Sequence, residues 1–343
     1  MLDDLKMIHN RDKEDSLGIA GKQWEQLKQA YDVEADFGPI DNVVLAGMGG
    51  SALAAEVAAS WPGLDKPFVI VKNYNLPSYV GKNTLFIASS YSGNTEETLA
   101  GLDEAEEKGA QIVIICSGGK LAERAKEKNY PFYKIPGGFQ PRMAIFYNFA
   151  ALISLFVSAG LTGADKLKEL ASAADWLGEQ AKELGPEVPA ERNLAKKMAQ
   201  ELVGNSIVIY SGPKLFPAAY KWKINFNENA KNIAWCNQLP EFNHNEFQGW
   251  ISHPVEKPYK VVDIRSNLEH ARVQARFEIS EKLLSGKKPT AEVIKPAGDS
   301  LLKQLLWSIQ LGDFTSLYLA LLNGLDPTPV DLIEKLKVEL KKV

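Results

Sequence analysis

Cysteine and histidine are scarce in this chain, which has two cysteines and four histidines among its 343 residues. Cys116 and Cys236 lie far apart, and neither belongs to a CxxC pair or a Cys/His cluster. This usage argues against a structural zinc site and fits a reducing compartment. We therefore expect a protein without a metal, and we interpret Cys116, at the end of an apolar run, as a small buried hydrophobic residue.

An excess of basic charge is also missing, because the formal net charge is −4. That balance argues against a general nucleic-acid binder, which needs a basic face. No uninterrupted apolar stretch approaches the ~20 residues that cross a bilayer, and the N-terminus lacks the layout of a signal peptide. We expect a cytoplasmic protein that binds neither nucleic acid nor membrane, with a length that suits about two domains of ~150 residues each.

Short apolar runs alternate with helical patterns along the chain. Continuous runs, rather than alternating ones, are typical of strands buried on both faces of a parallel sheet, and the alternation with helices indicates βαβ units. The predicted strands cover residues 43–46, 67–71, 85–88, 112–115, 206–210, 259–262 and 291–294. The strand and glycine at 206–212 weakly repeat those at 43–47, so we predict two related α/β domains.

Helical patterns surround these strands. Polar residues with helical spacing run to about residue 37 and predict a helix packed on the body of the protein. The pattern stays helical from 142 to 184 and breaks at 185–189. Further helices are predicted at 269–284, 300–322 and 330–341.

Serine and threonine are concentrated in residues 89–95, Ser-Ser-Tyr-Ser-Gly-Asn-Thr, between a predicted strand and a predicted helix. A helix start offers unpaired backbone N–H groups and a positive dipole end, which together suit a phosphate dianion. The alternative is that Asn94 simply caps the helix, with Glu97 as its capping-box partner. Four such hydroxyls in seven residues exceed what a cap requires, so we favour a phosphate site.

A glycine-rich turn, Gly-Met-Gly-Gly-Ser-Ala at 47–52, also joins a strand to a helix and matches the dinucleotide pattern G-x-G-x-x-A. The next strand ends at Lys72 without an acidic residue for a ribose hydroxyl, although a lysine there suits a 2′-phosphate. A second interpretation is that the backbone of this turn closely approaches a sugar. A third is a tight turn without a ligand.

Arg142 follows a glycine-rich loop and Pro141, at a predicted helix start. Its permanently charged guanidinium suits a phosphate or a developing oxyanion, and the alternative is a surface arginine.

Glu228 lies among amide side chains, and His244 follows sixteen residues later between two asparagines. A carboxylate and a histidine that titrates near neutrality form a plausible acid–base pair, or equally a buried hydrogen-bonded pair. Glu241 and Glu246 compete with Glu228 as the base. We interpret the remaining histidines as surface or structural residues: His9, His253 and His270.

Taken together, the motifs at 47–51, 89–95, 141–142, 227–231 and 240–246 resemble those of the bifunctional phosphoglucose/phosphomannose isomerases. Residues 326–330, leading to Lys335, resemble the same family. The resemblance runs from about residue 35 to the C-terminus and implies flavodoxin-like sugar-isomerase (SIS) domains with parallel sheets. The implied boundaries are an N-terminal SIS domain with the N-terminal helix over 1–160, a helical linker over 161–190 and a C-terminal SIS domain over 191–343.

The resemblance also implies a role for each site residue. Glu228 is the expected base between C1 and C2, and Arg142 the expected stabiliser of the enediolate. His244 is expected to help open the sugar ring from the partner subunit of a homodimer. Lys335 is expected near the ring oxygen, and Thr328 resembles the small residue that leaves room for either C2 epimer. The residues expected to hold the sugar phosphate are Gly49, Gly50, Ser51, Ser90, Ser92 and Thr95, with Ser89 as a further candidate.

The leading hypothesis is thus an aldose–ketose isomerase that interconverts glucose 6-phosphate and mannose 6-phosphate with fructose 6-phosphate. Such a reaction needs a base, a cation near the oxyanion and a proton relay, so we expect no cofactor. The first alternative is a non-catalytic SIS-type sugar-phosphate sensor. Such a sensor needs the serine- and threonine-rich loop at residues 89–95, the hydroxyl loop, but not Glu228 or His244. The second is an NADP-dependent oxidoreductase that uses the turn at 47–52.

Overall fold

The computed structural model describes residues 1–252, 258–340 and 342. The chain divides into two compact units. The first unit comprises residues 22–179, and the second comprises residues 1–21 together with 180–343.

The N-terminal segment forms two helices, α1 (Leu5–Arg11) and α2 (Ser16–Gln26). Asp4 caps α1 by accepting a hydrogen bond from the backbone N–H of Met7. The predicted helix to residue 37 is wrong beyond Gln26, because the chain leaves the helix there. Tyr31 lies beyond the helix, where its hydroxyl donates to the Tyr147 carbonyl oxygen at 3.0 Å.

Five strands of the first unit, among the residues described, form one parallel sheet. They are β1 (Asn42–Ala46), β2 (Phe68–Val71), β3 (Thr84–Ser89), β4 (Gln111–Cys116) and β5 (Phe132–Lys134). Their order is β2-β1-β3-β4-β5, the order of a flavodoxin-like sheet. The helices of this unit are α3 (Gly49–Ser60), α4 (Glu96–Glu107), α5 (Gly119–Lys128), α6 (Ile145–Ser158) and α7 (Asp165–Ala181), the last of which continues into the second unit.

The centre of the first sheet is buried, as its apolar runs predict. All six residues of β3 are buried, and so are the last four of β1. Cys116 is fully buried at the end of β4, as predicted, and burial raises the pKa of its thiol to about 12.

The second unit repeats this arrangement with a four-stranded parallel sheet in its described residues. Its strands are β6 (Ser206–Ser211), β7 (Ala234–Gln238), β8 (Tyr259–Ile264) and β9 (Glu292–Ile294), in the order β7-β6-β8-β9. Its helices are α8 (Leu194–Leu202), α9 (Phe216–Glu228), α10 (Glu246–Gly249), α11 (Ala271–Leu283), α12 (Leu301–Leu322) and α13 (Asp331–Leu340). Since β6 to β9 occupy the places of β1 to β4, the predicted pair of related α/β domains with parallel sheets is confirmed.

Helix α12 is long and apolar enough, by length and composition, to match a membrane span. However, 89% of its most apolar window is buried inside the protein, so it is packed as a core helix. Its partner α9 contributes Trp222, and a Cβ on Gly312 would lie only 2.3 Å from that indole. The Lys221 ammonium, fully buried, donates to Asp313 on α12 at 2.6 Å. These contacts fix α9, the helix that ends at Glu228.

Residues 1–21 belong to the second unit, whereas the family resemblance implies an N-terminal helix in the first domain. The reason is a set of polar contacts that periodicity does not reveal. Arg11 donates to the Leu321 carbonyl oxygen, Asp3 pairs with Lys196 at 3.1 Å, and Ser16 contacts Thr328. The other domain boundaries remain predictions.

Candidate functional site

The glycine turn and the hydroxyl loop follow two adjacent central strands of the first sheet, β1 and β3. From β1 the chain moves outward to β2, and from β3 it moves in the opposite direction to β4. In open α/β sheets, ligands bind at the carboxyl ends of the strands where the order reverses in this way. The first sheet therefore presents these two segments at its expected ligand-binding edge.

Hydrogen bonds bring most of the predicted phosphate-binding hydroxyls together. Ser90 Oγ lies 2.8 Å from Thr95 Oγ1 and accepts from the backbone N–H of Gly93 at 3.2 Å. Ser51 Oγ accepts from the backbone N–H of Tyr91 at 3.1 Å, which ties α3 to the same loop. Ser51, Ser90 and Thr95 thus form one cluster.

The two flanking serines differ from this cluster. Ser92 is exposed, and its hydroxyl accepts from the backbone N–H of Asn94 at 3.3 Å. Ser89 is fully buried and donates to the Asn148 side chain at 3.4 Å. The geometry therefore places Ser92 at the mouth of the loop and Ser89 in the core behind it.

Helix α4 begins at Glu96 with Thr95 as its N-cap residue, so the alternative that Asn94 caps this helix is wrong. The Asn94 side chain instead donates to the Ser92 carbonyl oxygen and accepts from the backbone N–H of Lys120. In the described part of the chain, Thr95 makes no capping hydrogen bond with its side chain. Backbone N–H groups at such a helix start suit an anion.

Gly50 lets Arg142 lie close to the glycine turn. A Cβ on Gly50 would lie 2.6 Å from the Pro141 carbonyl oxygen, so only glycine permits this approach. Arg142 follows in the 3-10 turn Pro141–Met143, and its side chain is only 3% exposed. Its guanidinium donates to Gln140 Oε1 at 3.3 Å. The alternative of a surface arginine is therefore wrong.

The glycine turn at residues 47–52 gives little support to a dinucleotide site. Lys72, the residue suited to a 2′-phosphate, forms an ion pair with Glu56 on α3 at 2.7 Å. That pairing engages the positive charge that a phosphorylated ribose would need. Among the residues described, no group of three His, Cys, Asp or Glu side chains is placed to hold a metal ion.

Glu228 is the last residue of α9, half-buried, and lines a cavity of about 380 Å³ in the second unit. The cavity is also lined by Asn227, Lys231, Pro329, Val330, Asp331, Leu332 and Ile333. Asn227 accepts from the backbone N–H of Ala234 at 3.0 Å, which joins the end of α9 to β7. The predicted base therefore has access to a space of ligand size.

Lys231 lines this cavity and also fixes the backbone just before residues 329–333, which form its other wall. Its backbone is in the left-handed region, with φ of 50°. Its ammonium donates to the carbonyl oxygens of Asn229 at 3.2 Å, Asp326 at 2.9 Å and Pro327 at 3.1 Å. Nothing in the sequence indicates this role for Lys231, although it closes the motif at 227–231 that contains Glu228.

Thr328 precedes and Lys335 follows the lining residues 329–333, but neither of the two is itself among the cavity-lining residues. Thr328 is 3% exposed and precedes Pro329, which does line the cavity. Lys335 is exposed on α13, two positions beyond the last lining residue, Ile333.

His244 ends the 3-10 turn Glu241–His244 and is exposed, so the alternative of a buried Glu228–His244 pair is wrong. The two competing carboxylates have structural partners: Glu241 accepts from Asn245 at 2.7 Å, and Glu246 accepts from Asn237 at 2.6 Å and from Tyr210. Of the remaining histidines, His9 and His270 are exposed, and His253 lies outside the described residues.

The turn after β6 corresponds to the glycine turn after β1, but a carboxylate of the chain itself occupies it. Glu269 Oε1 accepts from the backbone N–H of Lys214 at 2.7 Å, and a Cβ on Gly212 would lie 2.3 Å from that oxygen. Burial raises the pKa of Glu269, although the Lys214 N–H and ammonium lower it. Since Glu269 follows β8, the counterpart of β3, the second unit places its own carboxyl group where the first has a hydroxyl loop.

Two family models match the chain. One is described as SIS domain and matches residues 39–155, and the other is described as Bacterial phospho-glucose isomerase C-terminal SIS domain and matches residues 191–340.

The chain is also similar to curated proteins and solved structures. It is 38% identical over 333 residues to the bifunctional phosphoglucose/phosphomannose isomerase of Caldicellulosiruptor bescii, covering 93% of this chain and 97% of the relative. It is 36% identical over 323 residues to the Aquifex aeolicus protein of the same name, covering 93% and 95%. A glucose-6-phosphate isomerase like protein from Thermus thermophilus has a TM-score of 0.65 at 20% identity, with 98% of each chain covered, and shares the fold.

Proposed function

The chain belongs to the bifunctional phosphoglucose/phosphomannose isomerase family, and we propose that it interconverts glucose 6-phosphate and mannose 6-phosphate with fructose 6-phosphate in the cytoplasm. The observation that carries this proposal is similarity to these isomerases over both units, including the one that carries Glu228 and His244. The alternative of a non-catalytic sensor is not favoured, because a sensor needs no similarity in that second unit.

The phosphate end of the substrate is assigned to the Ser51, Ser90 and Thr95 cluster, with Ser92 at its mouth and Gly49 and Gly50 in the adjoining turn. Neutral hydroxyls and helix N–H groups bind the dianion without placing a cation beside the catalytic base, which would depress the pKa of that base. Binding energy from this remote group orients the reacting carbons.

Glu228 is assigned as the base that removes the proton from C2 of the open-chain aldose and returns it to C1. The reverse transfer converts the ketose to an aldose. The negative charge that develops on the oxygens of the enediolate is assigned to Arg142, whose guanidinium stays charged at all relevant pH values. A group aimed at developing charge lowers the barrier more than it tightens substrate binding.

Ring opening needs a proton donor and acceptor near the ring oxygen. We assign this step to His244, contributed by the partner subunit of a homodimer, with Lys335 assisting. Two observations support the assignment: His244 is exposed at the surface of its own chain, and Lys335 is exposed on α13 just beyond the Glu228 cavity.

The proposed activity is tested by incubating the purified chain with fructose 6-phosphate and following both aldose phosphates over time. We expect both products, since Thr328 is the small residue that admits either C2 epimer. Formation of glucose 6-phosphate alone would show a glucose-only isomerase, and tight binding without any product would favour the sensor.

The shared site is tested by subunit complementation. The variants Glu228→Gln and His244→Ala are each expected to be nearly inactive alone. When co-expressed with different tags and purified as heterodimers, they should regain activity, because one of the two sites then combines an intact Glu228 with an intact His244. Heterodimers that stay as inactive as both parents would contradict the contribution of His244 across subunits.

A further inference from the structure

The N-terminal segment reaches the residue that we assign to epimer specificity. Ser16, the first residue of α2, lies with its Oγ 2.8 Å from Thr328 Oγ1, and the two side chains share this hydrogen bond. Both residues are buried, with exposed fractions of 5% and 3%. Neither the sequence motifs nor the assigned mechanism gives any function to Ser16.

The backbone around Thr328 is fixed by other contacts. The Lys231 ammonium donates to the carbonyl oxygens of Asp326 and Pro327. The backbone N–H of Thr328 donates to Asp326 Oδ1 at 3.0 Å. With the backbone held, the main remaining freedom of Thr328 is rotation about χ1. Its hydroxyl and methyl share one Cβ, so a contact that fixes the hydroxyl also fixes where the methyl points.

Ser16 is itself held rigidly enough to act as such a contact. Its backbone N–H donates to Asp12 Oδ1 at 2.8 Å, and the backbone N–H of Leu17 donates to Asp12 Oδ2 at the same distance. Asp12 is only 6% exposed. The buried carboxylate therefore anchors the start of α2, and the Ser16 hydroxyl meets Thr328 from a fixed position.

We propose that Ser16 is a positioning residue that selects the rotamer of Thr328 and thereby sets the ratio in which the enzyme forms the two C2 epimers. This inference rests on the proposed function, in which Thr328 leaves room for both epimers. Ser16 acts through Thr328, next to Pro329 at the wall of the Glu228 cavity. The N-terminal segment thus contributes to specificity without lining the cavity itself.

The test measures the ratio of glucose 6-phosphate to mannose 6-phosphate formed initially from fructose 6-phosphate. Both products come from the same enzyme sample, so the ratio does not depend on how much of the protein is folded. Ser16→Ala removes one hydrogen bond to Thr328 and is expected to change the ratio about threefold to tenfold. Ser16→Thr keeps the hydroxyl and should restore a ratio near that of the wild type.

Two controls separate positioning from general stability. Ser266→Ala removes another buried hydroxyl of the second unit, which donates to Gln304 Oε1 at 2.6 Å, and should leave the ratio unchanged. Thr328→Val removes the partner hydroxyl, so adding Ser16→Ala to it should cause no further change. If Ser16→Ala fails to fold, Ser16→Cys, with a weakly bonding thiol of similar size, takes its place.

An unchanged ratio in Ser16→Ala would overturn the proposal, and so would an equal shift in the Thr328→Val background. Wild-type enzyme that forms no product, or only one epimer, would instead overturn the proposed function and this inference together. The two failures are distinguishable because the wild type is measured in the same experiment.

Discussion

Replacing Glu228 by glutamine is expected to lower kcat for fructose 6-phosphate about 10²–10⁴-fold, which is the range supplied by a positioned general base. The amide has nearly the same shape as the carboxylate but cannot accept a proton from carbon. Binding of fructose 6-phosphate, measured by calorimetry, should stay nearly unchanged because the phosphate is assigned to the hydroxyl loop of the first unit. The expected loss therefore lies in turnover and not in affinity.

Glu241→Gln is the matched control for this variant. Glu241 lies in the same unit, was a competing candidate for the base, and is exposed with Asn245 as its hydrogen-bond donor. It should retain full turnover. Normal kcat in Glu228→Gln, or a comparable loss in Glu241→Gln, would remove Glu228 from its assigned role.

Arg142→Gln is expected to lower kcat for glucose 6-phosphate about 10²–10³-fold, the usual loss when one stabiliser of an oxyanion is removed. Arg142 is buried beside the glycine turn, where water screens its charge poorly and its effect on a developing anion is large. A stable anionic mimic of the enediolate should lose affinity in parallel with kcat, because both depend on the same charge.

The control for Arg142 is Arg124→Gln in the same unit. Arg124 lies on α5 and pairs with Asp103 and Glu106 at 3.1 and 3.0 Å, so its removal alters surface charge without touching the site. A rise in KM for Arg142→Gln with kcat unchanged would instead identify Arg142 as a phosphate ligand, which is the other chemistry that suits a guanidinium.

The sequence predicts the parallel sheets well because their central strands are buried on both faces. The runs that become β1, β3 and β4 are continuous and apolar, and each lies in the interior of the first sheet. The sequence also predicts the edge strands β2 and β9, but it does not predict the edge strands β5 and β7. Strand β7 has one buried residue in five and an exposed Trp235, while β5 spans only three residues.

The candidate site is predictable only in part, for a related reason. Hydroxyls crowded into seven residues are visible in the sequence, as is a carboxylate among amides. Contacts between segments that are distant along the chain are not visible in the sequence. Ser16 and Thr328 are 312 positions apart, and the ammonium of Lys231 meets carbonyl oxygens about 95 positions away. Backbone acceptors and single hydroxyls carry no periodic pattern, so only the folded chain reveals them.

Glu269 makes the turn after β6 different in ligand-binding capacity from the corresponding turn after β1. In the second sheet, the backbone N–H of Lys214 already donates to a carboxylate of the chain itself, so this amide is not available to an anionic ligand. The hydroxyl loop of the first sheet, residues 89–95, contains no charged side chain, and we expect the phosphate to bind there. The turn after β6 leads into α9, which ends at Glu228, so we expect that turn to position the helix of the assigned base rather than to bind a ligand.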